Sequence, residues 1–478
     1  MTFVRRLTTD IAFYSVLGAL QRAVTILLVP IYTRVLSQQD FGNLDLIIAA
    51  CGLVQVLVDL QQAKGFMRFY AEHVRAGSER RFVGTNLITR LALGAFIAAL
   101  FVGLGLGGYL ERSFIPSFGL WRTTWIVAVA TIPASLIGEL LLLQTRLLGS
   151  RRLFATGALS NVLLSTIVCM ILVAGLGWGL FGAVVGQCTG TIVSAFLLVW
   201  SLRTHITIAW DANIMKGVLR HTLPIVPGYW LASFSVHLCR FFMFGEMGAA
   251  QAAILAICLK VVGVVSLFSV SFRMAWQPLA MMNLGDERSD EQFSEAMRVF
   301  LIGGLLCVCG LAILAGPVVA LLAPASYADA SRYVTLFAFA SIIGEIEASL
   351  QLGNQVAGKT FWLSVSAIAG FAVNVVALAS FTRVLGIGAA VIGAIVSAVV
   401  GVSVAYASSQ ANHRIRYYKG AFLRFGVGCM LVGTITLFRG IISSAILTAL
   451  LASIGVCLSW MSLKADEKRL IRGLIAVL

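Results

Sequence analysis

Charged residues are scarce in this sequence, because only 12% of its 478 residues are Asp, Glu, Lys or Arg. Hydrophobic residues make up 59%, and the mean hydropathy of +0.95 is far above the range of water-soluble proteins. This composition excludes a soluble globular protein. The segments between the apolar runs are also too short for a sizeable soluble domain, so nearly all of the chain is expected to lie in a membrane.

Motifs of catalysis and cofactor binding are missing as well. The sequence contains no phosphate-binding loop, no nucleophile elbow, no HExxH motif and no paired CxxC motif. All nine cysteines fall inside apolar runs, which argues against a disulfide framework or a metal cluster. The sequence therefore predicts a transporter rather than an enzyme, with no bound cofactor.

Runs of about 20 apolar residues, the length that crosses a bilayer, recur from residue 11 to residue 462. They are continuously apolar, whereas the strands of membrane barrels alternate in polarity. The predicted fold class is an all-α polytopic membrane protein of about 14 transmembrane helices. The predicted spans are 11–33, 41–63, 86–110, 122–143, 156–176, 179–202, 221–244, 251–276, 297–323, 331–354, 361–380, 387–409, 421–438 and 441–462.

Basic residues outnumber acidic residues by 35 to 20, which gives a net charge of +15. Loops rich in Lys and Arg stay on the cytoplasmic side when a membrane protein is inserted. With the N-terminus in the cytoplasm, the cytoplasmic loops hold most of the basic residues, including those at 64–81, 146–152 and 464–472. Both termini are therefore predicted to be cytoplasmic, and a nucleic-acid partner is not needed to explain the charge.

An internal repeat divides the sequence. GELLLLQTRLLGSRRLF begins at Gly138, and the similar GEIEASLQLGNQVAGKTFW begins at Gly344. The alignment matches Glu139 to Glu345, Gln144 to Gln351 and Asn161 to Asn374. The two stretches are six spans apart, an even number, so the halves share one topology. This predicts two pseudo-symmetric six-helix lobes, 1–210 and 211–415, followed by two additional helices and a tail, 416–478.

Several spans carry polar residues on one helical face, spaced by three or four residues. Three polar stripes in apolar spans predict a hydrated cavity inside the bundle. The stripes are Tyr229, Ser233, His237 and Arg240 on the seventh span; Tyr14, Gly18, Gln21 and Thr25, beside Arg22, on the first; and Asp45, Gly52, Gln55, Asp59 and Gln62 on the second.

Five cations lie within or close to the spans: Arg22, Arg240, Lys260, Arg273 and Arg90. A cation at the centre of a membrane helix costs about 2.5–3.5 kcal/mol on insertion scales, so each needs a partner, water or a ligand. Two interpretations stay open. The cations either bind an anionic ligand or pair with buried acids, and Arg273 and Arg90 could also extend to the interface.

Three acids, Asp59, Glu139 and Glu345, are candidates for coupling transport to H⁺ or Na⁺. A buried carboxyl can exchange a proton or hold a cation as access alternates between the two sides. The alternative is that they only pair with arginines, and the sequence leaves both interpretations open.

The opening segment of the chain resembles that of Wzx-type O-antigen and polysaccharide flippases. In that family a first helix ending in Pro-x-x-x-Arg leads to a short loop with Phe/Tyr-Gly, and the matching residues here are Pro30, Arg34, Phe41 and Gly42. Similar motifs follow in order along nearly the whole chain, at Arg68, Phe69, Leu223, Pro224, Trp276 and Pro278. The family belongs to the multidrug/oligosaccharidyl-lipid/polysaccharide (MOP) exporter superfamily, whose fold is bilobed.

The resemblance implies a flippase that moves an undecaprenyl-diphosphate-linked oligosaccharide across a bacterial inner membrane by alternating access. It also implies a polysaccharide polymerase and a chain-length regulator as partners. In that interpretation Arg22, Arg240 and Lys260 contact the diphosphate, and Arg273 and Arg90 form a cytoplasmic entrance. The alternatives are a lipid II flippase and a multidrug or cation antiporter of the same superfamily, of which the antiporter is disfavoured by cations in the cavity.

The chain departs from the family pattern at one place. Many relatives have Asp-Arg where this chain has Cys239-Arg240, and Gly-Ile/Val-Tyr where it has Ala253-Ile254-Leu255. Loss of the aspartate removes the nearest expected counter-charge of Arg240. Arg240 is then either available to a ligand or left over from a lost structural pair.

Overall fold

The computed structural model describes residues 3–106, 122–223, 226–282, 289–351, 361–437 and 444–463, together with residues 353, 354, 357 and 359. Within these ranges the regular structure is helical and no strand occurs, which confirms the predicted fold class. Pro224 and the basic residues at 464–472 lie outside the described residues, and so do the side chains of Tyr14, Trp276 and Pro278.

Contacts divide the chain into two compact units, Met1–Ala253 and Ile254–Leu478. The lobe boundaries at residues 210 and 415 stay predictions. The first unit contains α1 (Phe3–Val35), α2 (Gln38–Asp59), α3 (Gln62–Arg75), α4 (Glu79–Leu106), α5 (Arg122–Ala130), α6 (Ile132–Leu147), α7 (Arg151–Cys169), α8 (Gly179–Leu202), α9 (Ala212–Thr222) and the beginning of α10 (Val226–Met282).

The second unit contains the rest of α10, followed by α11 (Ser289–Leu322), α12 (Ala330–Leu350), α13 (Phe361–Leu385), α14 (Ile387–Asn412), α15 (Lys419–Leu437) and α16 (Ser444–Ser462). A break at Gly248, where φ is 82° and ψ is 174°, interrupts α10. Glycine tolerates this backbone because it has no Cβ. The residues before the break belong to the first unit.

Eleven helical segments of the described residues are long and apolar enough to cross a membrane. One of them, His237–Val270, continues across the break at Gly248 and so covers both the seventh and the eighth predicted span. Helices α15 and α16 coincide with the two last predicted spans. Large apolar side chains are exposed on the spanning helices, for example Leu27 at 67% and Val384 at 80%. Such surfaces face lipid, and the chain is a multi-pass membrane protein.

Two short amphipathic helices, α3 and α9, lie almost entirely in predicted loops, the first between spans 41–63 and 86–110 and the second between spans 179–202 and 221–244. The segment 64–81 is mostly α3 and the first turn of α4, because its charged residues occupy only one side of each helix. The other side is buried. Phe66 of α3, Phe82 of α4 and Met215 of α9 lie in one apolar cluster with Leu140 of α6, which fixes both short helices to the ends of the spanning helices.

The turns inside each unit follow the sequence repeat. Helix α7 continues through a π-helical turn, Met170–Gly175, and is joined to α8 at Gly177; α13 is joined to α14 at Gly386. Both glycines lie in repeated Leu-Gly dipeptides, and both have a positive φ, 68° and 54°. A residue with a side chain would be strained there. The two helix pairs therefore share a backbone feature at matching places in the repeat.

Candidate functional site

The polar side chains of the predicted stripe on α2 form ion pairs or hydrogen bonds with other helices of the first unit. Asp45 pairs with Arg240, Gly52 lies next to His237, Gln55 donates a hydrogen bond to Ser135, and Asp59 pairs with Arg90. Gln62 begins α3 and is fully buried. Asp45, Gln55 and Asp59 thus form a polar face of α2 directed into the first unit. Gln62 lies beyond the end of α2, because Leu60 and Gln61 have left-handed backbone.

Arg240 has a counter-charge on another helix. Its Nε donates to Oδ2 of Asp45 at 2.8 Å, and its Nη1 donates to Nδ1 of His237 at 3.0 Å. The side chains of Arg240 and Asp45 are only 18% and 10% exposed. Of the two interpretations left open for Arg240, the structure shows the pair with a buried acid, since Asp45 of α2 supplies a counter-charge although position 239 holds no aspartate. Cys239 itself is buried.

A cavity of about 220 Å³ lies between α2, α5, α6 and α8. Among the described residues its lining carries no charged side chain, and Gln55 donates across it to the hydroxyl of Ser135 at 2.7 Å. The lining side chains that can form hydrogen bonds are Gln55, Thr131, Ser135, Gln187, Thr191, Cys51 and Cys188. Gly52 also lines the cavity, and a Cβ placed on it would lie 3.9 Å from Nε2 of His237. The neutral cavity and the Arg240–Asp45 pair are therefore adjacent.

A second charged group lies farther along α2. Arg90 of α4 forms an ion pair with Asp59 and donates from Nη1 to the carbonyl of Leu136 at 2.8 Å. Arg90 is 1% exposed. Glu139 of α6 is within electrostatic range of both members of the pair. Asp59 and Glu139, two of the predicted coupling acids, thus lie near the predicted cation Arg90. Because Arg90 is already paired and buried, it is a poor contact for a ligand.

In the second unit Arg273 of α10 donates from Nη1 to both carboxylate oxygens of Glu345 on α12, at 3.3 and 3.1 Å. The third predicted coupling acid is therefore paired with a predicted ligand contact. Arg22 on α1 and Lys260 on α10 are half-buried. On α1, the amide of Gln21 donates to the carbonyl of Ala158, so part of the first stripe joins α1 to α7. On α10, Tyr229 is exposed and lies under the ammonium of Lys64, 4.5 Å from the ring centre.

The cavity residues on α5, α6 and α8 were not predicted. Threonine and serine are weak signals in an apolar span because they commonly donate to their own helix, as Thr191 does to the carbonyl of Gln187. Glutamines were the usable signal, since an amide inside a membrane span needs polar partners. Gln187 lies in such a span and lines the cavity.

No protein-family model matches the chain, and no curated protein matches it. Several solved structures are similar to the chain in fold. A structure of the lipid II flippase MurJ in an inward closed conformation has a TM-score of 0.72 and 13% identity, over 97% of this chain and 99% of that one. Inward-facing and outward-facing structures of a multidrug resistance MATE family transporter of the MOP superfamily have TM-scores of 0.68 and 0.66.

The two MATE structures are 14% and 15% identical to this chain, cover 82% and 86% of it, and are themselves covered to 95% and 98%. At such identities the likeness establishes the fold alone. The chain has the fold of MOP transporters. Since only 3% of the chain lies outside the MurJ match, that match must include most of residues 416–478.

Proposed function

We propose that this protein is a flippase that moves an undecaprenyl-diphosphate-linked oligosaccharide from the cytoplasmic to the periplasmic leaflet of a bacterial inner membrane by alternating access. One observation carries the proposal: the first unit holds a neutral cavity of hydroxyl and amide groups that reaches His237, the side chain to which Arg240 of the Arg240–Asp45 pair donates. An amphipathic substrate with sugars next to a diphosphate needs both environments.

The cavity suits sugars because their hydroxyls both donate and accept, as the side chains of Gln55, Ser135 and Thr191 do. At about 220 Å³ it is smaller than the roughly 300–1,000 Å³ of a pocket for a drug-sized ligand, so it fits one sugar residue rather than a whole ligand. A cationic drug would instead require carboxylates in the lining. This observation disfavours the multidrug antiporter.

The diphosphate contacts in this proposal are Arg240, Arg22 and Lys260. Arg240 uses Nε for Asp45 and Nη1 for His237, and a guanidinium has five N–H donors, so donors remain for a phosphate. Arg90 is buried against Asp59, and we assign that pair and Glu139 to coupling with H⁺ or Na⁺. Arg273 and Glu345 stay candidates for the cytoplasmic entrance. The chain itself carries out no catalysis in this scheme.

A lipid II flippase is the second candidate. The structure with the TM-score of 0.72 is named a lipid II flippase, and it covers nearly the whole chain, whereas the MATE structures cover 82% and 86%. Lipid II is also a polyprenyl-diphosphate-linked sugar, so the same cavity and the same arginine would serve it.

Complementation tests both candidates. One bacterial strain lacks its polysaccharide flippase and another is depleted of its lipid II flippase; each receives the wild-type chain. Polymer formation in the first strain supports the proposal. Rescue of growth in the second strain alone replaces it with the lipid II alternative.

Variants of Arg240 test the site in the rescued strain. Arg240→Ala leaves Asp45 buried without its partner and can misfold, so Asp45→Asn combined with Arg240→Gln is the informative variant, because it keeps a neutral hydrogen-bonded pair. We expect polymer to fall by about tenfold or more, since a charge-assisted phosphate contact is lost. Arg332→Ala, which removes an exposed cation paired with Asp329, is the control. Full polymer from the double variant at normal expression would remove Arg240 from the substrate path.

A further inference from the structure

Helices α2 and α10 lie side by side in the first unit and run in opposite directions, so residues late in α2 contact residues early in α10. Contacts between them include the amide of Gln38 donating to the carbonyl of Ala250 at 3.3 Å, Nε of Arg240 donating to Asp45 at 2.8 Å, Gly52 beside His237, and Nε1 of Trp230 donating to the carbonyl of Val56 at 3.2 Å. Lys64, in the first turn of α3, continues this order beyond the end of α2, because its ammonium lies 4.5 Å from the ring centre of Tyr229.

The Lys64–Tyr229 pair and Arg240 are separate positions beside one face of α10. Tyr229 begins the polar face of that helix, and Arg240 lies on the same face. Eleven residues of helix separate the two, which is about 16 Å along the axis. A single diphosphate cannot contact cations so far apart. A headgroup bound at Lys64 has therefore not yet reached Arg240.

The backbone holds Lys64 in this place. Leu60 and Gln61 turn the chain between α2 and α3 with φ of 47° and 56°, a left-handed conformation that is strained in residues with a side chain. Strain of this kind persists only where the surrounding structure fixes it, and it is concentrated at functional sites. Gly65 then packs α3 closely against α9, since a Cβ on it would lie 2.8 Å from carbons of two side chains of that helix. Because α3 is fixed at both points, Lys64 stays beside Tyr229.

The charge of Lys64 has no counter-charge within the residues that the structure describes. Two arginines of the same region do have acid partners, since Arg68 pairs with Glu72 at 3.0 Å and Arg81 pairs with Asp211 at 3.1 Å. Lys64 is half-buried, and burial lowers the pKa of its ammonium with no carboxylate to oppose the shift. An ammonium that has only an aromatic ring beside it is a place where an anion is stabilised.

The surface around Lys64 suits a lipid better than a soluble anion. Met67, three residues along the same face of α3, is 48% exposed, and Val74, two turns farther on, is 45% exposed. With 14 residues α3 is too short to cross the membrane, and an exposed apolar side next to a cation is typical of a helix in the headgroup region of a bilayer. The charge distribution assigns this end of the first unit to the cytoplasmic side.

We propose that Lys64 and Tyr229 form the first binding position for the phosphate headgroup of the lipid-linked substrate, on the cytoplasmic side and before Arg240. An ammonium has three N–H donors and the ring lies on only one side of it, so donors remain for phosphate oxygens. Tyr229 is exposed, and its hydroxyl can donate to the same group. This position rests on the proposed function, since it assumes that the substrate is a polyprenyl-diphosphate lipid.

Lysine labelling of the purified full-length protein tests the position without any substitution. The protein is placed in phosphatidylcholine nanodiscs and treated with short pulses of acetic anhydride, and mass spectrometry of its peptides gives the acetylation rate of each lysine. Undecaprenyl diphosphate in the disc should slow acetylation of Lys64 by about tenfold, because a site that is about 90% occupied leaves about a tenth of its ammonium groups to react. Lys216, exposed on the neighbouring α9, is the internal control and should react at an unchanged rate.

Two further probes identify the source of the phosphate. Phosphatidylglycerol at the same mole fraction, and inorganic pyrophosphate in the buffer, should each change the rate at Lys64 by less than about twofold. Equal slowing by phosphatidylglycerol would make Lys64 an interfacial lysine that meets any anionic lipid, and equal slowing by pyrophosphate would indicate a site for a soluble anion. Either result, or no slowing by undecaprenyl diphosphate, overturns the proposal.

Two variants test whether the positions are separate and whether the ring takes part. With Asp45→Asn and Arg240→Gln combined, undecaprenyl diphosphate should still protect Lys64. Tyr229→Leu should weaken the protection by about threefold or more, because the ring that holds the ammonium is lost. Loss of protection in the combined variant, or full protection in Tyr229→Leu, contradicts the proposal.

Polymer formation in the complemented strain gives a second measurement. Lys64→Gln should lower polymer by about fivefold, Lys64→Arg should keep most of it because a phosphate-binding cation remains, and Lys216→Gln should match wild type. Normal polymer from Lys64→Gln would overturn the position. If labelling shows no protection, the complementation result of the proposed function still stands; if complementation fails, labelling still reports the binding position.

Discussion

Arg240 shows how a buried cation acquires a partner from a distant part of the sequence. Asp45 lies 195 residues away and on another helix, yet its carboxylate is 2.8 Å from Nε of Arg240. Removing one member of such a pair is costly, whereas replacing both by neutral groups is often tolerated. This is why the paired neutral variant, and not Arg240→Ala alone, separates a role in transport from a role in folding.

His73 gives the first unit a pH-dependent stability. Its ring stacks on Phe82 with centroids 4.4 Å apart, its Nδ1 lies 2.8 Å from the hydroxyl of Ser78, and burial lowers the pKa of His73 below its usual 6.5. The unfolded chain then binds a proton at a higher pH than the folded protein does. The stability contributed by the neutral ring is therefore complete above about pH 6.5 and decreases as the pH falls below it.

The variant His73→Phe should remove this dependence. The melting temperature of wild-type protein in detergent should fall on acidification from about pH 6.5, and the variant should lose that part of the fall while keeping the stacking on Phe82. Thermal unfolding followed by fluorescence over a pH series measures both curves. An unchanged slope in His73→Phe would mean that another group controls the acid sensitivity.

At the scale of a single element, α10 depends on its break. Gly248 has a φ of 82° and a ψ of 174°, a region that essentially only glycine adopts, so alanine there should destabilise the protein by about 1–3 kcal/mol. Gly245 lies in the same helix with helical backbone, and a Cβ on it meets nothing within 4 Å. Gly245→Ala is therefore the control and should stabilise by about 0.5–1 kcal/mol.

Unfolding midpoints are measured for both alanine variants and the wild type in the same detergent. We expect the midpoint to fall in Gly248→Ala and to rise in Gly245→Ala. Equal effects would show that helix propensity alone governs the segment and that the break at Gly248 contributes nothing to stability.

The sequence predicted the long helices well and the short ones poorly. A window of 20 residues detects apolar runs, which is why each predicted span overlaps one or two helices within the residues that the structure describes. Helices α3 and α9 are too short and too charged for such a window. Their apolar faces were nevertheless readable at spacings of three and four, as in Phe66 and Tyr70 or Met215 and Val218, all of which are buried.

The polar face of α2 was predicted from its spacing, but its contacts were not. Spacing along one helix places Asp45, Gln55 and Asp59 on one side of α2. It does not say that Arg240, Ser135 and Arg90 are their partners, because those residues come from helices whose packing is decided by the shapes of apolar side chains. The cavity could not be predicted for the same reason, since its hydroxyl groups come from three different parts of the chain that only helix packing brings together.

At the scale of the whole molecule, the orientation in the membrane follows from charge. Loops with more Lys and Arg should lie in the cytoplasm, which places the turn at Gly149, next to Arg151 and Arg152, on the cytoplasmic side and the turn at Gly177 on the periplasmic side.

Reporter fusions check this orientation in cells. Alkaline phosphatase fused after Gly177 should be active and the same fusion after Gly149 inactive, while green fluorescent protein should report the reverse. Active phosphatase at Gly149 would show that the protein has the opposite orientation in the membrane, and the proposed direction of transport would then be reversed as well.

Gln351, which the repeat matches to Gln144, has a consequence for the history of the chain. A duplicated gene begins with two copies of each side-chain arrangement, and one of the two copies can then change. Gln351 is now bound into a closed set with Ser366, Asn354 and Ser408. Substitutions in that set should therefore be inherited together among descendants of the duplication.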